Sequence, residues 1–296
     1  MRALITGIEG FTGRYVAAEL ERAGYQVFGT CAGTPPAGAA HLLRGDLLDA
    51  PALEAAVATA RPDVVVHLAA IAFVGHGDPA AFYQTNVVGT RNLLAALVHT
   101  GCQPQSVLLA SSANVYGNST DGILDEATPP NPANDYAVSK LAMEYMARLW
   151  LDRLPIVIVR PFNYTGVGQS ADFLLPKIVA HFRRRAERIE LGNLDVWRDF
   201  SDVRAVAEAY RRLLEADAAG QVVNICSGRT LSLRQVLALA EGITGHAIEV
   251  EVNPAFVRAG EVHTLGGNPA RLRRLIGAWD SPPLEETLAW MLEAGG

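Results

Sequence analysis

Short apolar runs alternate with longer amphipathic stretches through the first 161 residues. The runs are Arg2–Thr6, Gly24–Thr30, His41–Asp46, Asp63–Ala70, Gln105–Ser111 and Pro155–Pro161. Asp63-Val-Val-Val-His67 is apolar along its length rather than alternating, as parallel strands buried on both faces are. Between the runs, apolar residues recur every three or four positions, as in Tyr15, Val16, Ala18, Leu20 and Ala23. The spacing predicts helices after Gly13, near Pro51, over Pro79 to Thr100, and around Tyr136. Strand and helix in alternation predict an α/β fold, a doubly wound parallel (Rossmann) sheet with helices on both faces.

Beyond Pro161 the pattern loosens. Phe162–Gly168 reads as a glycine-bearing loop, Leu174–Arg188 as a helix and Ile189–Phe200 as short strands and turns. Val203–Ala216 and Ser232–Thr244 read as helices, the latter capped by Ser232. Val222–Cys226 and Ile248–Val252 read as strands, with terminal helices at Pro269–Ile276 and Pro283–Leu292. The expected division is a first domain over 1–161 and a smaller C-terminal α/β lobe over 162–296. Some segments of the second are expected to return to the first.

Candidate chemistry gathers where the predicted strands end. The first strand runs into Gly7-Ile-Glu-Gly10-Phe-Thr-Gly13 and then a helix. Glycines there let a backbone approach a pyrophosphate, and the helix supplies free N–H groups at its start. The second strand ends in Thr30-Cys31-Ala32-Gly33, with neither the acid that suits NAD nor the arginine that suits NADP. Asp46, after the third strand, could accept from an adenine amino group or cap the next helix. His67 lies within a strand, where a packed histidine is expected. Ser112 follows the strand Gln105–Ser111 directly. Asn134 or Asp135, after a proline-rich segment, can cap the helix bearing Tyr136-Ala-Val-Ser-Lys140. Tyrosine and lysine four apart share a helix face, and the ammonium should pull the phenol towards neutrality, fit for acid–base work.

Composition narrows the partners. Half of the 296 residues are hydrophobic and the formal net charge is −6, which argues against nucleic acid as a ligand. Arg183-Arg184-Arg185 reads as a solvated face. Three cysteines without metal-ligand spacing are expected to be reduced and buried, and no metal site is expected. With neither a signal-peptide pattern nor a membrane-length apolar run, the expected location is cytoplasmic.

Taken in order, Thr6–Gly13, Asp46-Leu47, His67–Ala70, Asn86-Val-Val-Gly-Thr90, Ser111–Gly117, Tyr136–Lys140 and Arg160-Pro-Phe-Asn163 resemble the extended short-chain dehydrogenase/reductase family. These are the nucleotide-sugar epimerases, dehydratases and reductases, and the likeness extends to the closing Leu284–Trp290 segment. The resemblance makes residues 1–161 a dinucleotide-binding domain and 162–296 mainly a nucleotide-sugar-binding lobe. It implies NADP or NAD as cofactor, held by Gly7, Gly10, Phe11, Thr12, Gly13, Asp46, Leu47, Leu68, Ala69, Ala70, Asn86, Tyr136 and Lys140. Ser112, Tyr136 and Lys140 would be catalytic. It also implies a homodimer with a four-helix interface, for which Leu93, Ala96, Leu97, Leu141 and Met143 would form the outer faces.

Within the family, dehydratases carry an acid where Asn114 stands, and an amide cannot act as a base. Reduction or epimerisation is therefore expected. Arg160–Gln169 and Leu191–Val203 are similar to the GDP-sugar branch, nearest its GDP-4-keto-6-deoxy-mannose reductases. The substrate-binding residues expected are Ser112 at the reacting sugar oxygen, Asn163, Lys177, Arg198 and Arg258 at the diphosphate, which scattered cations suit, and Glu261 at the ribose or paired with an arginine. The alternatives are a UDP-hexose 4-epimerase that retains its NAD, a GDP-mannose 4,6-dehydratase, and a non-catalytic dinucleotide-binding protein.

Overall fold

The computed structural model describes residues 1–39, 41–72, 77–117, 122–256 and 263–294. The first half contributes β1 (Arg2–Thr6), α1 (Phe11–Arg22), β2 (Gln26–Cys31), β3 (Leu42–Arg44), α2 (Ala50–Ala60) and β4 (Val64–His67). Next come α3 (Pro79–Tyr83), α4 (Thr90–His99), β5 (Ser106–Ala110), β6 (Ile123–Leu124), α5 (Asp135–Arg148) and β7 (Ile156–Pro161). The second half contributes β8 (Asn163–Thr165), α6 (Leu174–Arg183), β9 (Arg188–Leu191), β10 (Trp197–Asp202), α7 (Val203–Leu214) and β11 (Val222–Ile225). It ends with β12 (Thr230–Ser232), α8 (Leu233–Thr244), β13 (Glu249–Val252), β14 (Thr264–Gly267), α9 (Ala270–Ile276) and α10 (Leu284–Glu293).

Seven parallel strands form the main sheet in the order β3-β2-β1-β4-β5-β7-β11. Ala3 of β1 lies between Val27 of β2 and Val64 of β4. One sheet face packs on α1 and α7 through Val16, Leu20, Val206, Tyr210 and Leu213. The other packs on α2, α4 and α5 through Leu53, Leu93, Leu97 and Met143. The uniformly apolar strands follow from this double coverage. β11 comes from beyond residue 162, so the chain returns to complete the sheet it had left. The lobe keeps its own core, around Leu175, Phe182, Leu191, Val236 and Leu288. It holds the strand path β12-β10-β14-β6, with β8 paired to β10, and a β9–β13 pair.

Several local expectations give way to specific contacts. Residues 162–168 are not all loop: β8 pairs with β10, Asn163 opposite Phe200. The helix expected to reach Arg188 stops at Arg183, and Arg185 takes a left-handed φ of 49°. Arg183 itself leaves the solvated face to donate to the Met291 and Leu292 carbonyls. The cap of α2 is Asp49 rather than Asp46, which instead accepts from the Leu48 N–H at 2.9 Å. The helix expected over Pro79–Thr100 contains a π-helical segment, Gln84–Gly89. Of the cysteines only Cys226 is buried; Cys31 and Cys102 are half-buried, and all three are free thiols.

The outer helix faces also differ from expectation. Leu93, Ala96, Leu97 and Met143 point into the core, and Leu141 packs beside Tyr116 and Phe162. Exposed large apolar side chains nearby include Val138 and Tyr145 on α5, Leu149 just beyond it, and Val88 in the π-helical segment before α4. Among the described residues no helix is long and apolar enough to cross a membrane, and no cluster could hold a metal ion.

Candidate active site

β1 and β4 are neighbours in the sheet, yet the strands that follow them run outward in opposite directions. Their carboxyl ends therefore flank the crevice where open α/β sheets bind ligands. The glycine turn lies across it. Gly7 has φ +71°, and a Cβ there would stand 2.8 Å from the Ala69 nitrogen. A Cβ on Gly13 would stand 2.2 Å from the Gly7 carbonyl oxygen. Neither position admits a side chain, so the backbone itself lines the cradle. Gly10 is the N-cap of α1 and offers no side-chain cap, which leaves the first-turn N–H groups to a ligand. These residues fit a dinucleotide pyrophosphate.

Around the cradle, Leu68, Ala69 and Ala70 leave β4 half-buried, with the Ala69 N–H donated to Thr6 Oγ1 at 3.2 Å. Leu47 is buried, and Asp46 stands beside it, partly exposed. Phe11 stacks on Tyr164, and Thr12 Oγ1 lies 2.8 Å from the Tyr164 hydroxyl, tying the turn to the lobe.

Ser112, Tyr136 and Lys140 converge on the end of β5. Ser112 opens a 3₁₀ turn over Ala113–Tyr116 and accepts the Asn114 N–H at 3.1 Å. Asn134 caps α5, accepting the Ala137 N–H at 2.9 Å and fixing where that helix starts. Tyr136 is 7% exposed, and the Ser112 hydroxyl favours the charged form of its phenol. Lys140, one turn on, donates to the Ala110 carbonyl at 2.8 Å. The expected lowering of the tyrosine by this lysine is not found. Burial pushes the Tyr136 phenol up to about 12, with Ser112 pulling the other way and Tyr164 adding to the rise. Burial also pulls Lys140 down to about 8, against the upward pull of Glu144. Desolvation outweighs the helical spacing because both groups lie inside the protein.

Buried polar side chains fix this geometry. Asn86 accepts the Ile71 N–H at 3.0 Å and donates to the Ile71 carbonyl at 3.2 Å and to Ser139 Oγ at 3.0 Å. Both of its donors are thereby used, so Asn86 braces the site, with one lone pair of its amide oxygen still open. Below Ser112, Ser111 Oγ donates to Glu144 at 2.6 Å, and Arg160 holds the same carboxylate at 2.8 and 2.6 Å. Glu144 lies four residues beyond Lys140, so helical spacing could have marked it. Tyr164 carried no comparable signal, because its partners come from a distant segment.

The lobe presents the remaining candidates. Asn163 stands at the start of β8, its Nδ2 buried and without a hydrogen-bond partner among the described residues. Lys177 donates to the Glu190 carbonyl at 2.7 Å and lies over the Phe256 ring. Arg198 donates to the carbonyls of Trp197 and His263. Arg258 and Glu261 lie outside the described residues.

Comparison with known proteins agrees with this arrangement. A GDP-6-deoxy-D-talose 4-dehydrogenase of Aggregatibacter actinomycetemcomitans is 34% identical, over 94% of this chain and 92% of that one. A GDP-6-deoxy-D-mannose reductase of Pseudomonas aeruginosa is 36% identical, over 93% and 91%. A solved structure of RMD from Pseudomonas aeruginosa complexed with NADPH superposes with a TM-score of 0.86 at 33% identity, covering 99% of this chain and 98% of that one. The model of the NAD dependent epimerase/dehydratase family matches residues 3–226. The chain thus belongs to the NAD dependent epimerase/dehydratase family and is an NAD(P)-dependent enzyme acting on nucleotide sugars.

Proposed function

We propose that the enzyme reduces the 4-keto group of a GDP-4-keto-6-deoxy-hexose, giving GDP-D-rhamnose or its 4-epimer. The observation that carries this reading is the Ser112–Tyr136 pair: a buried phenol held protonated, beside a hydroxyl, in a loop that continues with Ala113 and Asn114. A protonated phenol suits a reaction in which the keto oxygen gains a proton, and the loop residues lack the base that dehydration requires. The two relatives act at position 4 or on a 6-deoxy sugar of GDP by their names, which supports the same class.

NADPH or NADH, when bound by the glycine cradle, supplies the hydride. Ser112 and Tyr136 donate hydrogen bonds to the keto oxygen and stabilise the negative charge that grows there. Tyr136 then passes its proton to that oxygen, so the carbonyl becomes an alcohol. Lys140, one helical turn away, carries the positive charge that offsets the phenolate left behind. Asn163, Lys177 and Arg198 hold the nucleotide diphosphate, joined by Arg258, while Glu261 accepts from the ribose of the sugar nucleotide. Two copies pair through α4 and α5.

Redox balance tests the reading. With GDP-4-keto-6-deoxy-mannose, one NADPH or NADH should be oxidised for each sugar reduced. Turnover of UDP-glucose or UDP-galactose without net cofactor change would sink it in favour of 4-epimerisation. Tyr136→Phe should lower kcat by about 10²–10⁴-fold while cofactor binding is kept.

A further inference from the structure

We propose that Glu144 is a positioning residue for the reaction, holding the charge of Lys140 and the turn at Ser112 through one carboxylate. The inference rests on Tyr136 and Lys140 being the working pair. Glu144 is fully buried and follows Tyr136 and Lys140 at successive helical turns on α5. Its Oε1 accepts from Ser111 Oγ at 2.6 Å and from Arg160 Nε at 2.8 Å, and its Oε2 from the Arg160 guanidinium at 2.6 Å. Ser111 is the residue before Ser112, so the carboxylate pins the strand end from which the reacting hydroxyl projects. Arg160 is placed in turn by the Tyr116 ring, 4.9 Å beneath it, and Tyr116 donates to Asn224 at 2.7 Å.

The second half of the role is electrostatic. A buried ammonium needs an opposite charge to remain charged. The groups facing Lys140 are Tyr136 and Glu144 on its own helix, the Ala110 carbonyl of β5 and His67 of β4, which burial keeps neutral. Arg160 of β7 pairs with Glu144, yet it is the carboxylate whose charge supports Lys140. Glu144 is thus the buried anion that keeps Lys140 cationic near neutral pH.

The chain contains only two lysines, Lys140 and Lys177, which makes a direct test practical. With 13Cε-labelled lysine, a pH titration by NMR should give two signals, the second assigned by Lys177→Arg. The Lys140 midpoint should lie near pH 8. In Glu144→Gln it should fall by about one pH unit or more, and the high-pH limb of kcat/KM should move down with it. Because that variant leaves Arg160 unpaired, Glu144→Gln/Arg160→Met, which removes both charges, provides a folded control. Ser111→Ala should leave the Lys140 midpoint in place and lower kcat more than it alters KM. Arg160→Met is the reference for the double variant, since it lacks the same cation: an equal Lys140 midpoint in the two overturns the electrostatic role, and an unchanged kcat in Ser111→Ala overturns the anchoring role. The NMR titration needs no substrate, so its failure is distinct from a wrong assignment of the sugar.

Discussion

His67 is 3% exposed within the parallel sheet, its Nδ1 2.7 Å from Thr6 Oγ1 and its Nε2 2.8 Å from Thr90 Oγ1. Burial, with the Lys140 charge nearby, holds the ring down to about 3, far below a histidine's ordinary value of 6.5. The folded chain therefore binds fewer protons than the unfolded chain between those two values. Stability from this residue is fully present above about pH 6.5 and is lost as pH falls towards 3, with a slope of up to about 1.4 kcal/mol per pH unit. Urea unfolding of wild type and His67→Gln across that range measures it: carboxylates act in both, so the difference belongs to His67. Parallel curves would refute the account. The same desolvation governs Tyr136, where it raises the pKa, because there the charged form is the deprotonated one.

At the scale of elements, the π-helical turn Gln84–Gly89 does what an uninterrupted α-helix would not. It is a form frequent at functional sites, and it sets Asn86 inward, between the strand-end at Ile71 and α5. Ser139 relays this brace to the Tyr136 carbonyl at 2.8 Å. Asn86→Ala would leave the Ile71 N–H and C=O and the Ser139 hydroxyl short of partners. It should cost about 3 kcal/mol in denaturant unfolding and lower kcat through the displaced α5. Ser232→Ala, which removes half of the capping box on α8, should cost only about 1 kcal/mol and leave turnover alone. If the two variants lose activity equally, Asn86 has no special hold on the site.

For the whole molecule, the surface of α4 and α5 bears on assembly. Val138 and Tyr145 on α5, Leu149 at its end (78% exposed) and Val88 just before α4 are exposed, while the inner faces of α4 and α5 are core. The proposed pairing of two copies would cover them, and Tyr145→Glu/Leu149→Glu should shift light-scattering mass from dimer to monomer without changing the unfolding midpoint of the monomer. A wild-type monomer at working concentration would exclude the pairing.

The alternation of buried strand and amphipathic helix was legible in the sequence because each strand lies between two helix layers, and periodicity records that directly. The glycine spacing was legible because only glycine fits where backbone touches backbone, as Gly7 does against Ala69. The strand ends marked Ser112, and helical spacing joined Tyr136 to Lys140. What only the tertiary structure decided was the sense of their charges. Spacing along α5 places an ammonium near a phenol, but burial from neighbouring elements moves the phenol up and the ammonium down. Contacts distant in sequence did the rest: Ser111 and Arg160 on Glu144, Thr12 on Tyr164, and β11 returning to the first sheet. Local periodicity carries no record of such partners, since desolvation and long-range hydrogen bonds arise only once the chain has closed on itself.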